Sequence, residues 1–528
     1  MVSLPLMPAV SFTRRQRMLV AASVIFYGLL RVVLIPADPS ITENFSHDSA
    51  YNSIVADNLL HGKGLTNDAH WLIFLNPPKL PMPFHNANPL YVLLSAAVAG
   101  AWHCSTPYAA CIVSILGSIL LGIGIHFCVR RFCPNDWIAL LCAAGVVLFP
   151  SNWKESFAIV PDALATALCY CTVAAVVWST RSWHWLAAGA AFGLAWLTRS
   201  TATLILPAVF LWLFLKHGLR RSLVAMMLFL VAALAVASPW LYHTAITRGS
   251  PFASDAGYYW LQNFYAARNG ITVDQYWRSV APPPGIGYTL TRSFFQLADF
   301  TIRGVRPAVW LLAAGLADSY KPWFALLSLA ALAGVLCLRG RWRNSEMAAA
   351  CLIAVLTLFS ISVRAAGAEP RYFSVANCLL ALLILQPFLV RRPRPIWILA
   401  PVSAYLVLAL VPQDIRAIQH ARRPFQALVT YKAMATEAAE NLSRGDSVIT
   451  DWPYWFTYYT GHSAISPPYP GRSELFGAMR RYHAAWLLLP QARIDYYYPG
   501  SPGKLAPELT VAKTVGNYVL MKTTRDFE

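Results

Sequence analysis

The chain has 528 residues, of which 57% are hydrophobic and 12% charged, with a mean hydropathy of +0.48. This composition excludes a soluble multidomain protein of that size and indicates a polytopic membrane protein. The formal net charge is +18, but Lys and Arg cluster in short loops between apolar runs, as the positive-inside rule describes, so a nucleic acid partner is excluded as well.

Twelve apolar segments are candidates for membrane elements, since a span needs about 20 apolar residues. The first follows Arg14, Arg15 and Arg17 and has no small-residue cleavage site, which predicts an uncleaved span with its basic end inside. The segments are 18–36, 88–103, 107–129, 136–150, 161–179, 184–198, 201–216, 222–242, 321–338, 346–363, 372–390 and 395–411. The ten cysteines all lie in or beside such runs, which indicates small core residues and neither disulfides nor a metal site.

The basic loops predict the orientation of the chain. With the N-terminus cytoplasmic, loop 37–87 lies outside, and the basic clusters near residues 130, 181, 216–221, 339–343 and 391–394 should lie inside. Two apolar segments separate loop 37–87 from the first of these clusters, where an odd number of crossings is required. The shorter segment, 88–103, is therefore predicted to be half-inserted or re-entrant. The result is about eleven crossings in a bacterial inner or plasma membrane, with an extracytoplasmic C-terminal part.

The first polar stretch, residues 45–91, is too long for an ordinary connector. Asp48 lies near its start, close to a helix predicted at about 50–61. The Asp48 carboxylate could accept a proton from an acceptor hydroxyl, or it could only cap that helix, because Asp is a favoured N-cap residue. Three further residues could add charge to the same site or be solvated loop residues: Lys63, Lys79 and His85.

Ionisable residues recur where later segments meet the same predicted face. Asp162 follows Pro161 at the mouth of a span, where the pair could equally serve to open the helix. Arg199 and Arg371 border apolar runs, where a charge is costly and a function is expected, although an interfacial arginine can also snorkel. A guanidinium can bind a phosphate through two parallel hydrogen bonds. Two carboxylates and several cations on one face fit a reaction on a lipid-linked phosphate.

Beyond residue 411 the pattern is that of a small soluble α/β domain. It predicts an amphipathic helix at 425–443, the strand SVITD, the aromatic helix PYWFTYYTG, a helix at 473–483, the strand AWLLLP and a strand pair near LTVAKTVG and YVLMKT. We therefore predict an all-α membrane bundle at 1–411, with outside regions 37–87 and 243–320, and an extracytoplasmic α/β domain at 412–528. The aromatic residues of 452–459 could bind sugar faces or pack in the domain core.

The order of several segments resembles the GT-C membrane glycosyltransferases, in the branch of the protein O-mannosyltransferases and the aminoarabinose transferase of lipid A. These segments are HDSAYNSIVADNLLHGKGL, NPLY, VPDALATAL, GLAWLTRSTATLILP, SPWLYHTAITRGSPF and EPRYF, and the resemblance covers about residues 18–390. It implies inverting transfer of a hexose or pentose from a polyprenyl-phosphate donor to a hydroxyl of a lipid, glycan or protein acceptor at the outer face.

The resemblance also implies roles for individual residues. Asp48 would be the catalytic carboxylate and Asp162 the second acidic residue of the site. The donor phosphate would be held by Arg371, Arg199 and Lys79 and flanked by Tyr372, with Lys63, His85 and Glu369 in the vicinity.

The chain departs from the family pattern at two positions, which leaves the acceptor class open. His47 stands where an acidic residue would precede Asp48, and Val92 stands where a proline would follow Pro89-Leu90-Tyr91. No cofactor is implied with certainty, although a divalent cation is possible, and no metal-ligand cluster is predicted. A polytopic transporter and a non-catalytic envelope-assembly protein, each with membrane lipids around it, are the alternatives.

Overall fold

A computed structural model describes the chain over residues 13–71, 73, 77, 79–84, 88–130, 136–147, 157–179, 181–253, 256–279, 292, 296–303, 415, 418–419, 422–443, 445–469, 472–497 and 508–524. The four apolar segments predicted between 321 and 411 lie outside the described residues.

The N-terminal part is a helical bundle. Its helices are α1 (Arg14–Val33), α2 (His47–Leu60), α3 (Leu90–Trp102), α4 (Thr106–Arg130), α5 (Asp136–Val147), α6 (Asp162–Val177), α7 (Ser182–Thr198), α8 (Leu206–His217), α9 (Leu219–Arg248), α10 (Ala256–Arg268) and α11 (Val273–Arg278). Within the described residues, the helices long and apolar enough to cross a membrane are Arg14–Val33, Thr106–Arg130, Ser200–His217 and Leu219–Arg248. The chain is therefore an integral, multi-pass membrane protein.

Helix α3 is too short to span a bilayer. Its 13 residues rise about 20 Å, against a hydrocarbon core of about 30 Å. Its first turn is fixed to α4, because the Tyr91 hydroxyl donates to the carbonyl of Ala110 at 2.9 Å and lies 2.9 Å from the Ser114 hydroxyl. This length agrees with a half-inserted element, which remains a prediction.

Helix α9 extends further than the apolar run predicted at 222–242. Its 30 residues are about 45 Å long, so the helix passes beyond the bilayer core by roughly 15 Å. It ends at Gly249, which adopts the left-handed conformation (φ 74°) that commonly terminates helices. The start of the outside region predicted at 243–320 is thus a helical continuation of the membrane bundle.

Glycines allow the helices of the bundle to approach closely. A Cβ atom at Gly117 of α4 would lie 2.7 Å from the backbone nitrogen of Leu164 in α6, and one at Gly189 of α7 would lie 2.0 Å from the carbonyl oxygen of Phe229 in α9. Gly193, one turn after Gly189, faces Ala233 in the same way. The Gly-x-x-x-Gly spacing in α7 is the pattern that membrane helices use for backbone contact.

The C-terminal part is the predicted small α/β fold. Its elements are α12 (Gln426–Ala439), β4 (Ser447–Thr450), α13 (Pro453–Thr460), β5 (Ser463–Ile465), α14 (Arg472–Arg481), β6 (Trp486–Pro490), α15 (Gln491–Tyr497), β7 (Leu509–Val515) and β8 (Tyr518–Thr523). The sequence predicted these elements except β5 and α15. Strands β4, β5 and β6 are parallel, and β8 and β7 continue the sheet in antiparallel fashion.

The edge strand of this sheet comes from the first outside loop. The loop forms β1 (Thr66–Asn67), β2 (Ala69–His70) and β3 (Met82–Pro83), and β2 pairs parallel with β5, with Ala69 opposite Ala464. In the described residues the order of the six strands is β2-β5-β4-β6-β8-β7. The loop and the C-terminal part therefore lie on the same side of the membrane, while the boundary of the 412–528 domain remains a prediction.

Polar contacts join the same two parts of the chain. The Lys432 ammonium lies 2.9 Å from the Asp38 carboxylate, and the Tyr459 hydroxyl donates to the carbonyl of Ser40 at 2.6 Å. The α11 residue Arg278 is buried and donates to Asp451, directly after β4, at 2.9 Å. The loop, α11 and the sheet thus form one packed region at one end of the bundle, which we call the outer region.

Candidate functional site

The first turn of α2 carries Asp48. Ser46 caps the helix: its hydroxyl accepts from the backbone N–H of Ser49 at 3.3 Å, and the Ser49 hydroxyl lies 3.1 Å from the backbone nitrogen of Ser46. The alternative that Asp48 caps a helix starting near residue 50 is therefore wrong, because Ser46 performs that role and the helix begins at His47. Asp48 is exposed, and the helix N-terminus favours its negative charge.

Asp162 and Arg199 form an ion pair at the outer end of the bundle. Asp162 is the first residue of α6 and is 4% exposed, while Arg199 is the C-cap residue of α7 and donates to its Oδ1 atom. The Asp162 Oδ2 atom is buried and has no hydrogen-bond partner among the described residues. Arg199 therefore compensates a buried carboxylate, and the two residues act as a unit.

A hydrogen-bonded network fixes the chain segment that leads into Asp162. The Ser114 hydroxyl of α4 donates to the carbonyl of Ala158 at 2.8 Å, and Tyr91 of α3 contacts the same hydroxyl. Because Gly117 lets α6 lie directly against α4, the start of α6 has little freedom to move. The carboxylate of Asp162 is thus held by backbone packing as well as by its ion pair.

The other predicted site residues lie in different surroundings. Lys63 is exposed and lies 3.5 Å from Asp68, whose carboxylate also accepts from Asn58 at 2.7 Å. Lys79 is exposed between β2 and β3. Four further predicted residues lie outside the described part of the chain: His85, Glu369, Arg371 and Tyr372.

Two residues near the site were not predicted as functional. Arg31 in the last turn of α1 is only 1% exposed, and its guanidinium lies 5.0 Å from the ring centroid of Phe157, in the segment leading to Asp162. An arginine inside the apolar run 18–36 is the sequence signal that indicates it. His47 was noted only as a departure from the family pattern, yet its ring nitrogens are buried among aromatic side chains.

Metal ligands are not grouped in the part of the chain that the structure describes. No set of three or more His, Cys, Asp or Glu side chains is arranged there to hold an ion. Three groups could act on a phosphorylated lipid. They are the buried Asp162 carboxylate, the Arg199 guanidinium paired with it, and the exposed Asp48 carboxylate.

Comparison with known proteins agrees with this architecture. Residues 92–243 match the family model described as dolichyl-phosphate-mannose-protein mannosyltransferase, a range that includes the Asp162–Arg199 pair. The crystal structure of ArnT from Cupriavidus metallidurans bound to undecaprenyl phosphate is similar over 98% of this chain and 99% of its own, with a TM-score of 0.55 and 12% identity. At this identity the likeness shows the fold.

A second solved structure covers the same length of this chain. The arabinofuranosyltransferase AftD from Mycobacteria matches 98% of this chain and 40% of its own, with a TM-score of 0.48 and 11% identity. No curated protein sequence matches the chain. The GT-C resemblance predicted from the sequence is confirmed by the family model and the ArnT fold.

Proposed function

Because residues 92–243 match the mannosyltransferase family model and the fold is similar to that of ArnT, we propose that this chain moves a sugar from a polyprenyl-phosphate donor to an acceptor hydroxyl. The transfer is inverting and takes place at the extracytoplasmic face. The sugar is a hexose or pentose, and the acceptor is a lipid, glycan or protein.

The buried Asp162–Arg199 pair is the observation that carries this proposal. It lies where α6 begins and α7 ends, at the boundary between apolar helices and the outer region. A lipid phosphate is expected at such a boundary when its isoprenoid tail occupies the bilayer. The guanidinium has five N–H donors, so Arg199 can bind a phosphate oxygen while Asp162 holds it in place. The undecaprenyl phosphate bound to ArnT supports this class of donor.

The reaction needs a base, a stabilised leaving group and exclusion of water. In the proposed mechanism Asp48 accepts the proton of the acceptor hydroxyl, and the acceptor oxygen attacks the anomeric carbon from the side opposite the phosphate. The bond between that carbon and the phosphate oxygen breaks, and polyprenyl phosphate leaves with the electron pair. Cations stabilise the charge that develops on the leaving phosphate.

The cations in this mechanism are Arg199 together with the proposed Arg371 and Lys79, with Tyr372 beside them. His85 and Glu369 are proposed as neighbours of the donor. Lys63, whose ammonium lies 3.5 Å from the Asp68 carboxylate, is likewise proposed as a neighbour of the site.

Asp48→Asn is the test of this function. In lipid nanodiscs supplied with polyprenyl-phosphate sugars, the variant should lose sugar transfer by at least about 100-fold, the usual contribution of a general base, while it remains folded. The matched control is Asp299→Asn, which makes the same chemical change at an exposed carboxylate paired with Arg303, and it should retain wild-type activity.

Full activity of Asp48→Asn would overturn the assignment of the base. Mass spectrometry of lipid that copurifies with the wild-type chain identifies the donor independently. A polyprenyl-phosphate sugar supports the proposal, whereas substrate flux across sealed vesicles without sugar transfer contradicts it.

A further inference from the structure

The ring of His47 is enclosed by four aromatic side chains. Trp71, from the first outside loop, lies closest, with ring centroids 3.8 Å apart and a T-shaped geometry. The other three belong to the C-terminal part, at centroid distances of 4.8 Å for Trp452, 5.0 Å for Trp455 and 5.5 Å for Tyr454. We call this group the His47 cluster. At the centroid distances of Trp452, Trp455 and Tyr454, edge-to-face contacts are attractive and fix ring orientation.

The cluster acts on the first turn of α2. His47 is the first residue of that helix and directly precedes Asp48. One turn later, Tyr51 repeats the contact with Tyr454 at 5.2 Å. On the N-terminal side, Phe45 packs against Tyr458 at 4.9 Å. Helix α13 therefore contacts three residues around the start of α2, namely Phe45, His47 and Tyr51.

The imidazole contributes packing and no charge. Both of its ring nitrogens are buried, and neither has a hydrogen-bond partner within the described part of the chain. Burial, together with the nearby Arg278 guanidinium, holds the pKa of His47 well below its usual range, so the ring is neutral at physiological pH. A phenyl ring at this position would keep the edge-to-face contacts and lose no hydrogen bond seen in the structure.

We infer that His47 is a positioning residue: the His47 cluster fixes the first turn of α2 and with it the direction of the Asp48 carboxylate. The C-terminal α/β part thereby completes the catalytic site, since Trp452, Tyr454 and Trp455 all come from it. The inference rests on the proposed function, because it takes Asp48 as the catalytic base. A carboxylate that shifts by about 1 Å can cost two orders of magnitude in rate.

The experiment compares His47→Ala and His47→Phe in the nanodisc assay, with rates normalised to folded enzyme. His47→Ala should lower kcat by about 100-fold with the KM for the donor changed less than twofold, and His47→Phe should restore most of kcat. Trp455→Leu, which removes a wall of the cluster from the C-terminal side, should also lower kcat. The Trp455→Leu variant tests the same inference if His47→Ala does not fold.

Met479→Ala is the control for general destabilisation. Met479 is fully buried in a different part of the α/β core, among Leu475 and Leu487, so its loss should reduce stability and leave kcat per folded molecule unchanged. An equal loss of kcat in Met479→Ala and His47→Ala would overturn the inference. So would a His47→Phe variant as impaired as His47→Ala, because that result requires imidazole chemistry.

The Asp48→Asn background separates this inference from the proposed function. If His47 acts through Asp48, adding His47→Ala to Asp48→Asn should cause no further loss of the residual rate. A further 100-fold loss would overturn the positioning role while the base assignment stands. Full activity of Asp48→Asn alone would instead overturn the proposed function.

Discussion

Replacing Arg199 by Met should destabilise the protein by about 3–5 kcal/mol, the usual cost of removing one member of a buried ion pair. Asp162 is 4% exposed and the Arg199 side chain 21%, so water can compensate little of the charge that remains. The Oδ2 atom of Asp162 has no partner among the described residues. In the variant, the Oδ1 atom would also lose its donor, the Arg199 guanidinium. The charge of the carboxylate would then be buried without its ion-pair partner.

A double-mutant cycle measures the interaction itself. The double variant Arg199→Met/Asp162→Asn carries no buried charge at this position, so it should recover about 1–3 kcal/mol relative to the sum of the single changes. Unfolding in mixed micelles with increasing sodium dodecyl sulfate gives these free energies. The double variant should recover stability and still lack sugar transfer, because the proposed phosphate-binding cation is gone.

The exposed pair of Arg303 and Asp299 provides the comparison, with side chains 77% and 59% exposed. Arg303→Met should change stability by less than about 1 kcal/mol, since exposed pairs contribute little. If Arg199→Met is no more destabilising than Arg303→Met, or if the cycle shows strict additivity, the reasoning about a buried and coupled pair is refuted.

Two further outcomes follow from the packing of the bundle and from His47. Gly189→Ala should lower stability by about 1–3 kcal/mol, because the added Cβ would lie 2.0 Å from the Phe229 carbonyl oxygen. The control is Gly477→Ala in α14, where an added Cβ meets nothing within 4 Å, so this change should be neutral or stabilising. Equal unfolding midpoints of the two variants would contradict this expectation. The native pKa of His47 lies below the unfolded value of 6.5, so the unfolded chain binds the extra proton and stability should fall below pH 6.5 by at most about 1.4 kcal/mol per pH unit. His47→Phe should lessen that slope in melting temperatures measured from pH 7.5 to 5, and identical slopes would refute the neutral ring.

The sequence predicted the long apolar helices within the described residues, because apolar runs are a local signal. It also named both Asp162 and Arg199 but assigned them separate roles. Their contact follows from topology: α6 and α7 are consecutive helices, and in an antiparallel pair the start of the first lies beside the end of the second. The 37-residue separation was therefore a usable signal for the ion pair.

Two features had weaker signals. The cap at Ser46 was missed because Asp48 is an equally good cap by residue type, and Ser49 replaces the Glu or Gln of the usual capping box. The two-residue strand Ala69–His70 has no periodicity to read, and its partner β5 is three residues long. Such pairings depend on tertiary packing, which propensity does not encode.

The edge strand from the first outside loop has a consequence for biosynthesis. Contacts that join this loop to the C-terminal part, such as Asp38 with Lys432, link residues 394 positions apart. At translation rates of about 5–20 residues per second, the loop leaves the ribosome roughly 20–80 s before its partners do. During that interval β2 has no β5 to pair with and His47 lacks three of its four aromatic neighbours. The α2 turn that carries Asp48 would therefore be among the last parts of the molecule to be completed, and under the proposed function sugar transfer would have to wait for synthesis of the C-terminal part.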